Sequence, residues 1–299
     1  MIVVLVLVLG AGGCGTPEEV LPTAPVGTTS AAPTPSPSGP ADPPRSSPKT
    51  TSHPFPTSPP QPPPRPSPPE PTTVAPAPPE PTEGPELPAE WRGVDLERIP
   101  TDRRVVALTF DGGASDAGVA RILAVLARSD VPATFFVTGA FARTYPEQVR
   151  AIADAGHPVG HHSDTHRSYP DLTDVEIRAD LATAETEITS LTGRPARPLF
   201  RFPYGARTDA DIRVVNDAGY LPVRWTVDSL GWKGTSGGLS VAAVTDRVLT
   251  TAVPGQIVLM HVGANPEDGT TLDADALPDV IAGLRGRGYG FVGLDALVD

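Results

Sequence analysis

The chain has 299 residues, a formal net charge of −12 and 39 prolines, most of which precede residue 99. Proteins hold nucleic-acid phosphates with lysine and arginine, so this acidic charge argues against nucleic acid as a partner. Proline normally makes up about 5% of residues, and its concentration in the N-terminal part predicts that this part is not globular.

Residues 1–14 begin with the apolar run MIVVLVLVLGAGG and end at Cys14, the sole cysteine, which excludes an internal disulfide. The run is shorter than the roughly 20 residues that a membrane-spanning helix needs, and its length is typical of a signal peptide. The letters AGGC resemble the site at which bacterial lipoproteins are cleaved and lipidated, with ordinary cleavage as the alternative. We therefore expect an extracellular, cell-surface protein that is anchored through lipid on Cys14 to the outer face of the membrane.

Residues 15–98 consist mainly of Pro, Ser, Thr, Ala and Glu and show no apolar periodicity. Such a segment cannot bury enough surface to offset the entropy lost on ordering. We expect a disordered, Pro-rich stalk that spans on the order of 200 Å when fully extended. Recognition by a proline-binding domain is the alternative to this spacer.

Residues 99–299 alternate short apolar runs with segments of helical periodicity. The predicted strands lie near 105–110, 133–137, 158–161, 198–202, 221–227, 256–260 and 289–293. The predicted helices lie near 119–126, 145–155, 173–191, 208–218, 240–252 and 274–287. About seven strands with intervening helices indicate an α/β domain with a parallel sheet covered on both faces.

Polar residues gather at the carboxyl ends of the predicted strands, where parallel barrels carry their chemistry. The residues in these positions are Asp111, His161, His162, His166, Arg201, Tyr204, Asp228 and His261. This convergence predicts one site.

Four of these residues suggest particular chemistry. His162 and His166 are four residues apart, which would place them on one side of a helical turn, as in zinc sites, although two surface histidines would have the same spacing. Asp111 precedes two glycines and is a candidate general base or metal ligand, or a helix N-cap. His261 ends an apolar strand and is either a core residue or a general acid.

These motifs resemble, over roughly residues 102–299, the NodB-type polysaccharide deacetylases of carbohydrate esterase family four. The matching segments are TFDGG at 109–113, HSDTH at 162–166, RFPYG at 201–205, DSLGW at 228–232 and LMH at 259–261. The resemblance implies a distorted (β/α) barrel, a polysaccharide substrate and one divalent metal, commonly Zn²⁺.

It also implies roles for individual residues. Asp111 would be the general base, polarised by Arg201, and His162 and His166 would bind the metal. His261 would be the general acid, oriented by Asp228. Tyr204 would supply an oxyanion-stabilising backbone N–H, and Trp232 would wall the acetyl pocket.

The chain departs from the family at two glycines. Gly112 replaces a metal-binding aspartate, which leaves Asp111, His161 or additional waters to complete the metal's ligands. Gly231 replaces an aspartate that many relatives carry before the tryptophan. We expect a monomeric, metal-dependent N-deacetylase, and peptidoglycan N-acetylglucosamine is the first candidate for its substrate. The alternatives are a related O-acetyl esterase, a metal-independent amide hydrolase and a non-catalytic glycan-binding module.

Overall fold

The computed structural model of the protein describes residues 87–297 and contains one sheet of parallel strands. The strands are β1 (Val105–Gly112), β2 (Ala133–Val137), β3 (Val159–His161), β4 (Leu199–Phe200), β5 (Leu221–Pro222), β6 (Val227–Asp228), β7 (Gln256–His261) and β8 (Gly290–Phe291). Seven of them follow the spatial order β5-β4-β3-β2-β1-β7-β6, and β8 pairs with β1. The curled path is the distorted (β/α) barrel that the family resemblance implies.

The helices cover the outer face of this sheet. They are α1 (Val119–Ser129), α2 (Gly139–Thr144), α3 (Pro146–Asp154), α4 (Asp174–Thr192), α5 (Asp209–Asp217), α6 (Val241–Thr250) and α7 (Leu272–Gly286). Six of the seven match the helical periodicity of the sequence. The short α2 was not predicted, and its start is fixed by Thr138, whose hydroxyl accepts a hydrogen bond from the Phe141 N–H. Among the described residues, no helix combines the length and the apolar character needed to span a bilayer.

The prediction of one strand over 221–227 was wrong, because the chain forms two short strands there. β5 pairs with β4 at one end of the sheet, whereas β6 pairs with β7 at the other. The residues between them cross from one edge to the other, and Val223 and Arg224 turn their carbonyls towards the buried guanidinium of Arg201. These carbonyls accept hydrogen bonds from the Arg201 side chain and not from a neighbouring strand, so the strand is interrupted here.

β1 is an interior strand that pairs with β2, β7 and β8, and its alternating side chains divide the core in two. Val106, Leu108 and Phe110 pack under the helices, whereas Ala107 faces the barrel interior together with Phe136. Because side chains alternate along a strand, Asp111 lies on the same interior face as Ala107, at the carboxyl end of β1. The strand thus places a carboxylate at the top of the barrel.

The segment just before the predicted domain boundary at residue 98/99 packs against the domain. Leu87 and Leu96 are 4% and 5% exposed within the interior cluster. Leu96 forms a bridge with Val223, and Asp95 pairs with Arg207. The packed unit therefore includes residues from 87 onwards. The predicted export segment, the lipidation of Cys14 and the stalk up to residue 86 lie outside the described residues.

Candidate active site

A cleft of ≈ 720 Å³ opens at the carboxyl ends of the strands. The predicted site residues that line it are Asp111, His162, His166, Tyr204, Asp228, Trp232 and His261. Arg201 lies behind the cleft wall and is fully buried. The barrel topology thus gathers residues that are far apart in the sequence, as the pattern of strand ends predicts.

Arg201 is the fixed partner of Asp111. Its Nη1 donates to Asp111 Oδ1 at 2.6 Å, while its Nε and Nη2 donate to the carbonyls of Val223 and Arg224, each at 3.1 Å. The guanidinium also stacks on Phe136, 4.2 Å from the ring centroid. Every side of the cation is therefore held in place.

Asp111 is an ionised carboxylate in this setting. Its burial acts to raise its pKa, but the positive charge of Arg201, with smaller contributions from nearby histidines, lowers the pKa below its usual 3.8. Oδ1 is engaged by Arg201, whereas Oδ2 lies 3.4 Å from His162 Nε2. One oxygen thus remains for chemistry in the cleft.

His162 and His166 converge through the same ring atom. His162 Nδ1 is 2.8 Å from the Arg201 carbonyl, so it carries the proton and donates it there, which leaves Nε2 with a free lone pair. His162 Nε2 and His166 Nε2 are 3.2 Å apart. Burial lowers the pKa of His162, and burial followed by the neighbouring His162 lowers the pKa of His166 to about 4. Both rings are neutral at physiological pH, as metal ligands must be.

The two histidines lie on a loop, so the expected helical turn was wrong. Ser163 and His166 have positive φ angles of 70° and 61°, which no α-helix contains. The carbonyls of Ser163 and Asp164 accept the first N–H groups of α2, and the Ser163 hydroxyl accepts the N–H of His166. The unpredicted helix α2 thus holds the loop that brings the rings together.

The residues present fit a divalent metal ion. Two ligand atoms that each lie about 2.0–2.1 Å from a tetrahedral zinc are about 3.3 Å apart, close to the 3.2 Å between the two Nε2 atoms. Within residues 87–297, no cluster of three His, Cys, Asp or Glu side chains forms a ready-made metal site. Two imidazoles, with Asp111 Oδ2 as the nearest carboxylate oxygen, therefore make up the protein's contribution.

His161 is not available as a third ligand, contrary to one alternative from the sequence. Its Nδ1 accepts the Ser163 N–H at 2.9 Å, and its Nε2 donates to the Leu181 carbonyl at 3.0 Å. Burial lowers its pKa to about 3, so the ring stays neutral and both nitrogens remain occupied. His161 is a structural residue of β3.

Gly112 leaves no room for a carboxylate without movement of its neighbours. A Cβ at this position would lie 3.2 Å from Val137 Cγ1 and close to side-chain atoms of Val262 and Phe141. These surroundings are apolar. The described structure therefore offers Asp111 as the nearest carboxylate to the two imidazoles.

His261 stands beside Asp111, because the two are Cα partners in the β1–β7 ladder. Its backbone N–H donates to Asp273 Oδ2 at 2.8 Å, and its Nδ1 lies 3.6 Å from the same oxygen. Burial acts to lower the pKa of His261, but Asp273, Asp111 and Asp228 together raise it above the usual 6.5. The imidazole can therefore hold a proton near neutral pH.

The family resemblance implies that Asp228 orients His261, but the hydrogen bonds of Asp228 in the described structure go to other groups. Asp228 Oδ1 accepts the Leu230 N–H at 2.8 Å, and Oδ2 accepts the Trp232 indole N–H at 3.4 Å. Asp228 thus orients Trp232 and acts on His261 only through its charge. Nothing in the sequence gives a reason to single out Asp273. It lies in the first turn of α7, where acidic residues are common because they stabilise the helix N-terminus.

Two aromatic side chains flank the cleft mouth. Tyr204 is 71% exposed, has a φ of 58° and packs edge-on against His166 with ring centroids 4.4 Å apart. Trp232 is 47% exposed, and its ring centroid is 6.5 Å from that of His261. Exposed aromatic faces beside polar groups suit a sugar ring, which has apolar faces and a hydroxylated rim.

Two converging imidazoles, an ionised carboxylate and a protonatable histidine at the carboxyl ends of a parallel (β/α) barrel are the groups that a metal-assisted hydrolase needs. The sequence model of the polysaccharide deacetylase family matches residues 98–223. A peptidoglycan-N-acetylglucosamine deacetylase of Bacillus cereus is 31% identical over 198 residues, which cover 66% of this chain and 70% of that protein. A chitooligosaccharide deacetylase of Rhizobium leguminosarum bv. trifolii is 35% identical over 208 residues, covering 66% and 93%.

Among solved structures, a family 4 carbohydrate esterase pseudoenzyme from Bacillus anthracis superposes with a TM-score of 0.63 at 29% identity, covering 69% of each chain. The chain belongs to the polysaccharide deacetylase family, also called NodB-type or carbohydrate esterase family four. This membership confirms the resemblance on which the predicted fold and enzyme class rest.

Proposed function

We propose that the protein removes N-acetyl groups from peptidoglycan N-acetylglucosamine with the help of one divalent metal ion, for which Zn²⁺ is the first candidate. The observation that carries the proposal is the pairing in one cleft of two converging neutral imidazoles with an ionised Asp111 and a protonatable His261. Amide hydrolysis needs such a base and acid, since water must lose a proton and the leaving nitrogen must gain one.

His162 and His166 would hold the ion, with Asp111 Oδ2 beside them. When bound there, the ion supplies a Lewis acid for the acetyl carbonyl and lowers the pKa of nearby water towards about 7. Oδ2 of Asp111 is the oxygen that can accept the proton of the attacking water, because Arg201 holds Oδ1. If Oδ2 instead becomes a ligand, the base must be sought elsewhere.

His261 completes the reaction on the leaving-group side. As the bond between the carbonyl carbon and the sugar nitrogen breaks, the imidazolium of His261 gives its proton to that nitrogen, and acetate and a free amine result. The backbone N–H of Tyr204 is proposed to stabilise the oxyanion. Trp232, held by Asp228, would form the wall of the acetyl pocket.

The relatives support this substrate class. The B. cereus protein is named for peptidoglycan N-acetylglucosamine and the R. leguminosarum protein for chitooligosaccharides, and both names describe N-acetylated sugars. A lipid anchor on Cys14 and a long stalk, both predictions from the sequence, would place the domain within a cell wall. We therefore propose a monomeric enzyme at the cell surface with a wall polysaccharide as its substrate.

The test is release of acetate by the purified full chain from peptidoglycan, chitin oligosaccharides and acetylated xylan. We expect activity on peptidoglycan that is lost with a chelator and restored by zinc, with glucosamine residues in the digested product by mass spectrometry. His162→Ala should be inactive, whereas His157→Ala, which changes a histidine outside the cleft, should be fully active. Detection of de-N-acetylated muramic acid in the product, or release of acetate only from xylan, would overturn the proposal that N-acetylglucosamine is the substrate.

A non-catalytic glycan-binding module is the second candidate. It is favoured by the similarity to a pseudoenzyme and by Gly112, which stands where the family has a metal-binding aspartate. This candidate predicts binding of the same glycans without acetate release at any zinc concentration.

A further inference from the structure

Asp273 is a buried carboxylate that accepts hydrogen bonds from two separate segments of the barrel top. It lies in the first turn of α7 and is 3% exposed. Its Oδ1 accepts the Ser229 hydroxyl at 2.6 Å, and its Oδ2 accepts the His261 backbone N–H at 2.8 Å. These contacts fix both oxygens.

His261 has one ring nitrogen that faces this carboxylate. Nδ1 is buried and has no hydrogen-bond partner among the described residues, and Asp273 Oδ2 lies 3.6 Å away. No other carboxylate of the described chain lies within 4.0 Å of the His261 ring nitrogens. A small rotation of the ring would close the hydrogen bond, since the carboxylate is already fixed.

Gly231 is the glycine that makes this arrangement possible. A Cβ at residue 231 would lie within 2.5 Å of Asp273 Cγ and closer still to Oδ1, so no other residue fits there while Asp273 is in place. The backbone of Gly231 has no positive φ, so space and not conformation requires glycine. The carboxylate of α7 fills the volume that a side chain at residue 231 would occupy.

We propose that Asp273 is the positioning residue for His261. Its carboxylate keeps the imidazole proton on His261 Nδ1, so that His261 Nε2 faces the substrate. Glycine is required at residue 231 because any side chain there would occupy the space of the Asp273 carboxylate. The proposal rests on the acid role of His261 in the proposed function. Asp228 cannot take this part, because the Leu230 and Trp232 N–H groups engage its oxygens. The neighbouring helix acid, Asp275, pairs with Arg121 at the surface and serves as the matched control.

The first experiment compares Asp273→Asn with Asp275→Asn in the full chain by ¹⁵N NMR of the histidine rings. His261 is assigned through the signals lost in His261→Gln. We expect the wild type and Asp275→Asn to carry the neutral-ring proton on Nδ1, and Asp273→Asn to shift it towards Nε2. An unchanged His261 tautomer in Asp273→Asn would overturn the proposal. This readout needs no activity, so it stands even if no glycan is a substrate.

The second experiment is kinetic. Asp273→Asn keeps an acceptor for the His261 N–H, and we expect kcat to fall about 100-fold with KM within about twofold, since a misplaced proton removes the acid and not the substrate contacts. The double variant Gly231→Asp, Asp273→Gly, which returns a carboxylate from the other side, should recover both Nδ1 protonation and part of kcat. If Asp273→Asn does not fold, this double variant decides: loss of the Nδ1 proton in it would refute the proposal.

Discussion

Asp111 has two candidate duties but only one free oxygen. Oδ1 is bound by Arg201, and Oδ2 faces His162 Nε2 at 3.4 Å. A base and a metal ligand both require this oxygen in its ionised form, which Arg201 secures by lowering the pKa. Replacing Asp111 with the neutral asparagine abolishes zinc binding if Asp111 is a ligand, but only weakens it if Asp111 is the base. Zinc titration of Asp111→Asn therefore separates the two roles.

We expect His162→Ala to abolish zinc binding, because it removes one of the two converging ring nitrogens. Asp111→Asn should weaken zinc binding by less than this and yet abolish acetate release, since an amide cannot accept the proton of water. Isothermal titration with zinc, paired with an acetate assay, measures both. Loss of zinc in Asp111→Asn as complete as in His162→Ala would make Asp111 a ligand and remove its base role.

The pH dependence of the reaction follows from two opposite pKa shifts. The active form has Asp111 ionised, with a pKa below 3.8, and His261 protonated, with a pKa above 6.5. Activity should therefore rise with pH below 3.8 and fall above 6.5. Asp228 raises the pKa of His261 through its charge, so Asp228→Asn should move the alkaline limb to lower pH.

The kcat/KM profile of Asp228→Asn against the wild type measures this shift. Asp246→Asn, which changes an exposed acid outside the cleft, is the control and should keep the wild-type limb. An alkaline limb that stays in place in Asp228→Asn would show that Asp228 does not act on His261 by charge.

Elements with strong apolar runs were predictable from the sequence, and elements fixed by side-chain contacts were not. β1 and β7 are buried along most of their length, so their sequences are continuous apolar runs. The break between β5 and β6 instead depends on Arg201, a residue distant in sequence that claims two backbone carbonyls. The loop of His162 and His166 likewise depends on hydrogen bonds to α2.

The segment before residue 100 was assigned to the stalk because it adjoins it, although LPAEWRGVDLER at 87–98 has one proline and no serine or threonine. Leu87 and Leu96 are nearly fully buried, and burial of each leucine contributes roughly 1.5–3 kcal/mol. A chain that begins at Pro100 also lacks the buried Ile99, so it should be less stable by at least about 3–6 kcal/mol than one that begins at Glu86. Urea unfolding of the two truncated chains tests this, and equal unfolding midpoints would contradict the packing role of the segment.

For the whole molecule, the position of the site could be predicted from the sequence, but the full set of hydrogen bonds that orient its residues could not. Parallel strands all end at one edge, so Asp111, His162 and His261 meet wherever such a barrel forms. Asp273 reaches the same place from the start of α7, and nothing in its local sequence distinguishes it from its half-buried neighbour Asp275. Only the packing of α7 on the barrel shows which of the two acids faces inward.

Cys14 is the predicted site of the lipid tether. All residues that line the cleft lie between Asp111 and Pro266, so a change at Cys14 should leave kcat/KM on soluble chitin oligosaccharides within about twofold of wild type. If the thiol is lipidated, the exported wild-type chain should fractionate with bacterial membranes and carry the added acyl mass. Cys14→Ser should remain unlipidated, whereas a neighbouring Gly15→Ser should behave as the wild type. Equal lipid-free release of the wild type and Cys14→Ser would refute the anchor and leave ordinary cleavage.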